Sequence, residues 1–292
     1  TDELIELLQT GLIDYTIINS NEFEIYRQFY PEIQIGFKLS TSEPIAWAQS
    51  LKKDESVGKK MKEFFEVIIN NNQLNVLLEK HFGHHHSFTF VGSRAFLKDI
   101  VIYLPKYESY FRDSGKINKI DWRLLASVSY QESRWREDAV SYTGVKGLMM
   151  LTKNTAKELG VKNREDPKES IYGGAKYLKK ILARLPKDIE YPDKLWFSLA
   201  AYNLGFGHVT DAFNLAKDQG REPYRWIEIK PILLQLSKSQ YYKKTKYGYA
   251  RGWEALKYVQ NIRQYYDILV FLDSKDKKDI MQPIDERIPQ SL

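Results

Sequence analysis

The stretch DWRLLASVSYQES, residues 121–133, decides how this chain is read. Leu125, Val128 and Glu132 fall at i, i+3 and i+7, one stripe of a 3.6-residue period. The spacing predicts a helix with a carboxylate on its apolar side. Burial there disfavours the charged form and raises a carboxylate pKa. The helix C-terminus, negative by its dipole, pushes the same way. A glutamate ordinarily titrates near ~4.3, and one that gives up a proton at neutral pH needs a value nearer ~6. Two readings of Glu132 stand on the residues alone. It is a general acid in a cleft, or a structural glutamate paired with Arg134, Arg136 or a helix N-terminus.

The sequence around it is helical. From Arg94 onward SRAFLKDIVIYLPKYESYF, IYGGAKYLKKILARL, KLWFSLAAYN and EALKYVQNIRQYYDILVFL carry apolar residues at three-to-four spacing. Ile171, Ala175, Leu178, Leu182 and Leu185 make one stripe. Gly173 and Gly174 inside it cost about 1 kcal/mol each relative to Ala, which predicts close approach by a neighbouring segment. SYTGVKGLMMLTKNTAKELG, residues 141–160, places Gly144 and Gly147 in a loop. A short helix follows, with Thr152 as N-cap and Gly160 as its stop. Glycines beside a buried carboxylate let backbone approach a ligand closely. Met149 and Met150 read as core filler or as a flexible groove wall. LAAYNLGFG ends a helix at Tyr202 and Asn203, which serve as a cap or as a donor pair for sugar hydroxyls. DQGREPYRW, residues 218–226, reads as a polar loop, and the charged tail 274–292 as frayed.

Residues 1–86 have a different character. ELIELLQTG is a short helix stopped by Gly11. LIDYTIIN and IQIGFKL are β-branched and aromatic runs that read as strands, and PIAWAQSL is a further candidate. GKKMKEFFEVIINNNQLNVLLEKHFG reads as two helices broken at Asn70, Asn71 and Asn72. The pattern lapses across GHHHSFTFVGS, residues 83–93, where the seam between two domains is placed. The expected architecture is α+β: a mixed α/β region over 1–86, then a mainly α domain over 87–273.

Composition narrows the function classes. With 292 residues, 43% hydrophobic and 28% charged, the chain is ordinary globular protein with room for two domains. It has no cysteine, which excludes disulfides, thiol catalysis and thiolate metal sites. No apolar run reaches the ~18–20 residues of a membrane-spanning helix. The net charge of +6 suits an acidic polymer, but no nucleic-acid recognition motif accompanies it. Aromatics reach 14%, with 20 Tyr and 6 Trp, suited to packing or to stacking on sugar faces. His84, His85 and His86 are adjacent and cannot easily converge on one ion, so they read as a solvated loop. His81 and His208 are isolated. No metal and no cofactor is expected.

Taken together, ESRW, AVSYTGVKGLMMLT, GGAKYL, AAYNLGFG and EALKYVQNI resemble the catalytic domain of the soluble-type lytic transglycosylases over roughly residues 115–270. The resemblance implies a lysozyme-like helical fold. It implies that Glu132, followed by Ser133, is the catalytic acid. It matches Ser141 to a serine bordering that carboxylate, and Gly147, Leu148, Met149 and Met150 to a G-L-M-Q motif. Met150 departs from the glutamine of that motif, so one hydrogen bond to sugar is expected to be missing. Ala201, Tyr202 and Asn203 match an A-Y-N motif. Glu254, Tyr258 and Val259 are what remains of an E-T-R-x-Y-V pattern. Ser141, Gly147, Met149, Met150, Tyr202, Asn203, Glu254 and Tyr258 are thus the expected substrate-binding set, with Tyr258 either touching sugar or orienting Glu132.

GLMMLTKNTA, YGYARG and the N-terminal α/β region narrow the resemblance to the membrane-bound lytic murein transglycosylase F group. That group joins a family 3 periplasmic solute-binding module to the transglycosylase domain. Residues 1–86 are similar to the C-terminal portion of such a module, with LIDYTIINSNEFEIY as its crossover strand. The implied partners are peptidoglycan glycan strands and muropeptides. The implied setting is the periplasm, on the inner face of the outer membrane. The resemblance also explains a lone carboxylate. Ordinary glycosidases use two; a lytic transglycosylase lets the muramoyl C6 hydroxyl attack, so one glutamate acts as acid and then base.

Overall fold

Helices make up nearly all the regular structure of the residues that the computed structural model describes, 2–39, 55–84, 90–141 and 144–281. The chain divides into two units, Thr1–His84 and His85–Leu292. In the first, α1 spans Asp2–Gln9 and is closed by Gly11 at φ +74°. α2 spans Ser20–Phe29, α3 Glu55–Asn70 and α4 Gln73–Phe82. The break between α3 and α4 falls at Asn71 and Asn72, and Asn72 takes the left-handed conformation, φ +63°.

LIDYTIIN and IQIGFKL, expected as strands, form no regular element and belong to no sheet among the described residues. β-branched and aromatic residues fix an extended backbone, but a strand also needs a neighbour ~4.8 Å away to complete its ladder. The two segments instead border a cleft of about 1540 Å³ whose lining includes Ile5, Leu8 and Phe23. Tyr15, Ile17 and Phe37 stay largely exposed. PIAWAQSL lies outside the described residues, as do His85 and His86. His84, expected in a solvated loop, is buried.

The second unit is a helical bundle. α5, Phe90–Ile102, and α6, Leu104–Asn118, divide a stretch that the apolar spacing predicts as continuous. Pro105 explains the break. It has no N–H for the next helical hydrogen bond, so it is placed in the first turn of a new helix. α7, Trp122–Ser133, is capped by Asp121, whose side chain accepts from the Arg123 N–H. α8 is Lys153–Leu159, capped by the Thr152 hydroxyl and stopped by Gly160 at φ +75°. α9, α10 and α11 are Pro167–Arg184, Asp193–Leu204 and Phe206–Asp218. α12, α13 and α14 are Trp226–Gln235, Ser239–Tyr242 and Gly252–Met281.

α7 packs against α6, α9 and α14, and α14 also packs against α10 and α12. Leu125, Val128, Ile171, Leu178, Phe197 and Ile262 are fully buried between them. Arg123 ties the start of α7 to α14, reaching Asp121 at 2.6 Å and Asp273 at 3.0 Å. The Tyr266 hydroxyl donates to the same Asp121. The tail expected to fray after Asp273 stays helical to Met281. Its Lys and Asp residues carry no helix breaker, so nothing local ends the helix at the last packed turn.

Candidate active site

α7 ends abruptly. Arg134 and Trp135 both take left-handed backbone, φ +53° and +56°. The Arg134 N–H donates to Tyr130 O at 2.8 Å. Trp135 is fully buried, and its indole N–H donates to Ala126 O at 2.9 Å. Bulky residues rarely adopt this conformation, and here the buried indole compensates. The chain therefore leaves the helix axis one residue after Ser133, and Glu132 stands in the last turn.

Glu132 is enclosed on nearly all sides, yet part of its surface remains open to solvent, as in a narrow groove. Its partner is neither Arg134 nor Arg136. The Tyr258 hydroxyl, from α14, donates to Glu132 Oε1 at 2.6 Å. Burial pushes the Glu132 carboxyl from its ordinary 4.5 up to about 7, and the Tyr258 hydrogen bond opposes that rise. Burial also holds the Tyr258 and Tyr202 phenols well above 10, and the Glu132 charge adds to both. Both phenols therefore remain donors at neutral pH.

The loop between α7 and α8 is held against α7 beside Glu132. The Ser141 hydroxyl accepts from the Val145 N–H at 2.9 Å, and Val140 and Lys146 form an isolated antiparallel bridge. Gly147 has φ +91°, and a Cβ there would lie 1.9 Å from Arg164 O. The space beside this glycine is thus taken by backbone of the same chain. The hydroxyls of Ser129 and Ser133 both donate to Leu148 O, at 3.1 and 3.0 Å. The Met149 N–H donates to Ser170 Oγ at 3.0 Å, and Met149 O accepts from the Tyr202 hydroxyl at 2.9 Å. The Met149 side chain is buried against Gly174, where an added Cβ would meet it at 2.6 Å. That contact is the close approach which Gly173 and Gly174 predict. Met150 is left-handed at φ +46° and partly exposed. Three helices, α7, α9 and α10, thereby fix one loop.

The structure brings Glu132, Tyr258, Tyr202 and Met149 together. Asn203 is exposed at the end of α10, and Glu254 accepts from Arg251 at 2.8 Å in the first turn of α14. Glu137 is exposed and accepts from the Tyr107 hydroxyl at 2.6 Å. Sequence reasoning missed Ser129, Ser170 and Tyr177. Tyr177 sits edge-on to Tyr202 at 5.1 Å and fixes its ring. The serines had a signal: Ser129 and Ser133 are i, i+4 on a buried helix face, where a hydroxyl must find an acceptor. Among the described residues, no group of three or more His, Asp or Glu is placed to hold a metal ion.

Residues 109–225 match the family model described as Transglycosylase SLT domain, so the helical unit carries an SLT domain. Over 279 residues, that domain included, the chain is 45% identical to "Membrane-bound lytic murein transglycosylase F" of Hahella chejuensis, covering 96% of this chain and 55% of that protein. Proteins of the same name from Photobacterium profundum and Pseudomonas fluorescens are 46% and 44% identical, over 96% and 92% of this chain and 54% and 56% of theirs. The chain spans about half the length of the curated relatives it matches.

Proposed function

We propose that residues 87–273 are the catalytic domain of a peptidoglycan lytic transglycosylase in which Glu132 acts alone. The observation that carries this is the enclosed Glu132 carboxyl at the end of α7, which the Tyr258 hydroxyl reaches at 2.6 Å and which burial pushes up to about 7. The Tyr258 hydroxyl acts the other way and lowers it.

The chemistry follows from one proton. Protonated Glu132 gives its proton to the glycosidic oxygen between N-acetylmuramic acid and N-acetylglucosamine, and the C1–O bond breaks. The C6 hydroxyl of the same muramoyl residue closes onto C1. Ionised Glu132 takes the C6 proton, which restores the acid and leaves a 1,6-anhydro end. The nucleophile is intramolecular, so its effective concentration is high without a protein group. Tyr258 donates to Glu132 and steadies the ionised form between the two transfers. Tyr202, Asn203, Ser141, Gly147, Met149, Met150 and Glu254 shape and line the groove in this reading.

The first unit, read with residues 85–86, is proposed as the C-terminal part of a solute-binding-like regulatory domain. Its two β-branched segments beside a cleft and the greater length of the relatives support this. A periplasmic setting at the outer membrane is proposed from the relatives' membrane-bound name. No helix of the described residues is long and apolar enough to cross a membrane.

Mass spectrometry of muropeptides released from purified peptidoglycan tests the activity. The chain should release ends lighter than reducing ends by one water, and Glu132→Gln should release none. Reducing ends would make the protein a hydrolase.

A further inference from the structure

The segment Ser237–Gly252 carries four lysines, one arginine, four tyrosines and no acidic residue. It leads directly into α14. We infer that this segment is a peptide-stem subsite, which holds the carboxylate-bearing peptides of the glycan strand lying in the Glu132 groove. This rests on the peptidoglycan reading above.

The segment is a built surface. Asp211, buried in α11, accepts from the backbone N–H groups of Lys246 at 3.1 Å and Tyr247 at 2.8 Å. The Ala250 N–H donates to Leu236 O at 3.1 Å. Gly252 lies so close to α12 that a Cβ would fall 1.8 Å from Leu233 O. Tyr242 and Tyr249 meet edge to face at 5.7 Å. The backbone is therefore fixed, while the side chains that it presents point to solvent. Tyr247, Tyr249 and Trp253 are each about half exposed, at 51%, 53% and 52%. Lys243, Lys244 and Lys246 are exposed, and no ion pair to a carboxylate is seen for them among the described residues. Arg251 differs, being paired with Glu254.

Position selects the occupant. The Tyr247 ring lies on Gly207, where an added Cβ would meet it at 2.7 Å. Gly207 is four residues from Asn203, in the first turn of α11. At the other end, Glu254, paired with Arg251, stands one helical turn before Tyr258 on the same face of α14. The basic, aromatic strip thus runs from the first turn of α11 to the first turn of α14, the helix that carries Tyr258. A pyranose offers C–H faces to aromatic rings, and the peptide on each muramoyl lactyl group offers carboxylates to ammonium groups. Exposed lysines beside fixed half-exposed rings, Lys246 with its ammonium 5.5 Å from the Tyr247 ring centre, match both parts of one polymer.

The test uses soluble glycan strands with their peptides and the same strands stripped by an amidase. Binding of the whole chain to each is measured by calorimetry at low salt. The triple variant Lys243→Gln, Lys244→Gln, Lys246→Gln should lose about tenfold in affinity for peptide-bearing strands, as three exposed charge contacts allow. Its affinity for stripped strands should stay within twofold, and arginine at all three positions should restore the loss. An unchanged ratio between the two strands overturns the inference. So does a variant whose only deficit is in binding anionic vesicles or an oligonucleotide. Product analysis separates the two claims: a retained peptide preference with reducing ends sinks the transglycosylase reading and leaves the subsite standing. An unchanged thermal melt verifies that the exposed substitutions leave the fold intact.

Discussion

The Tyr258 hydroxyl reaches Glu132 at 2.6 Å across 126 residues of chain, from α14 to the last turn of α7. Two opposed influences meet at that carboxyl. Burial raises its pKa and the phenol lowers it, leaving about 7.

Removing the phenol should shift the balance. In Tyr258→Phe the carboxylate loses a charge-assisted hydrogen bond, equivalent to about one pKa unit. The high-pH limb of kcat/KM, set by loss of the Glu132 proton, should move upward from about 7 by that amount. Maximal turnover should fall on the order of tenfold as the carboxyl loses its fixed orientation. A pH–rate profile reads both effects. A limb that stays in place would separate Tyr258 from the titration of Glu132.

The same carboxyl makes stability depend on pH. Unfolded, Glu132 titrates near 4.5; folded, near 7. Between those values the unfolded chain holds fewer protons than the folded one, so stability falls as pH rises through the window. The loss reaches at most about 3 kcal/mol for a shift of this size, less where solvent enters the groove. Glu132→Gln has no charge to bury. It should match the wild type at pH 4 and melt several degrees higher at pH 8. Calorimetry at the two pH values checks this, and equal melting differences at both would contradict it.

Ser129 and Ser133 share one acceptor, Leu148 O. Either single change to Ala leaves that carbonyl one donor and should cost under about 1 kcal/mol. The double change orphans it and should cost about 2–3 kcal/mol, more than the sum. Urea unfolding of the four proteins measures the coupling. Additive losses would mean that the carbonyl finds another donor.

Local chemistry made several elements legible. Thr152 and Gly160 mark the ends of α8 because capping depends on the residues at the ends alone. The pair Gly173 and Gly174 announced a close neighbour because nothing in an isolated helix justifies them. Glu132 was conspicuous because a charge interrupted an apolar stripe. What stayed hidden depended on partners distant in sequence. LIDYTIIN and IQIGFKL read as strands, since residue type fixes extension and leaves pairing open. Gly147 was visible as a glycine, but its neighbour, the Arg164 carbonyl, was not. No spacing rule connects Tyr258 to Glu132, and nothing in the sequence singles out Tyr177 behind Tyr202.

Chain order adds a consequence to the long reach of Tyr258. A ribosome releases α7 well before α14, and α14 both covers α7 and supplies the phenol. On the nascent chain, residue 132 is an ordinary solvated carboxylate, ionised at neutral pH. The proton-holding state arises only when the last described helix docks. The acid is therefore armed only once α14 has been made and has docked, and a chain truncated before Gly252 should be inert however well its other helices form.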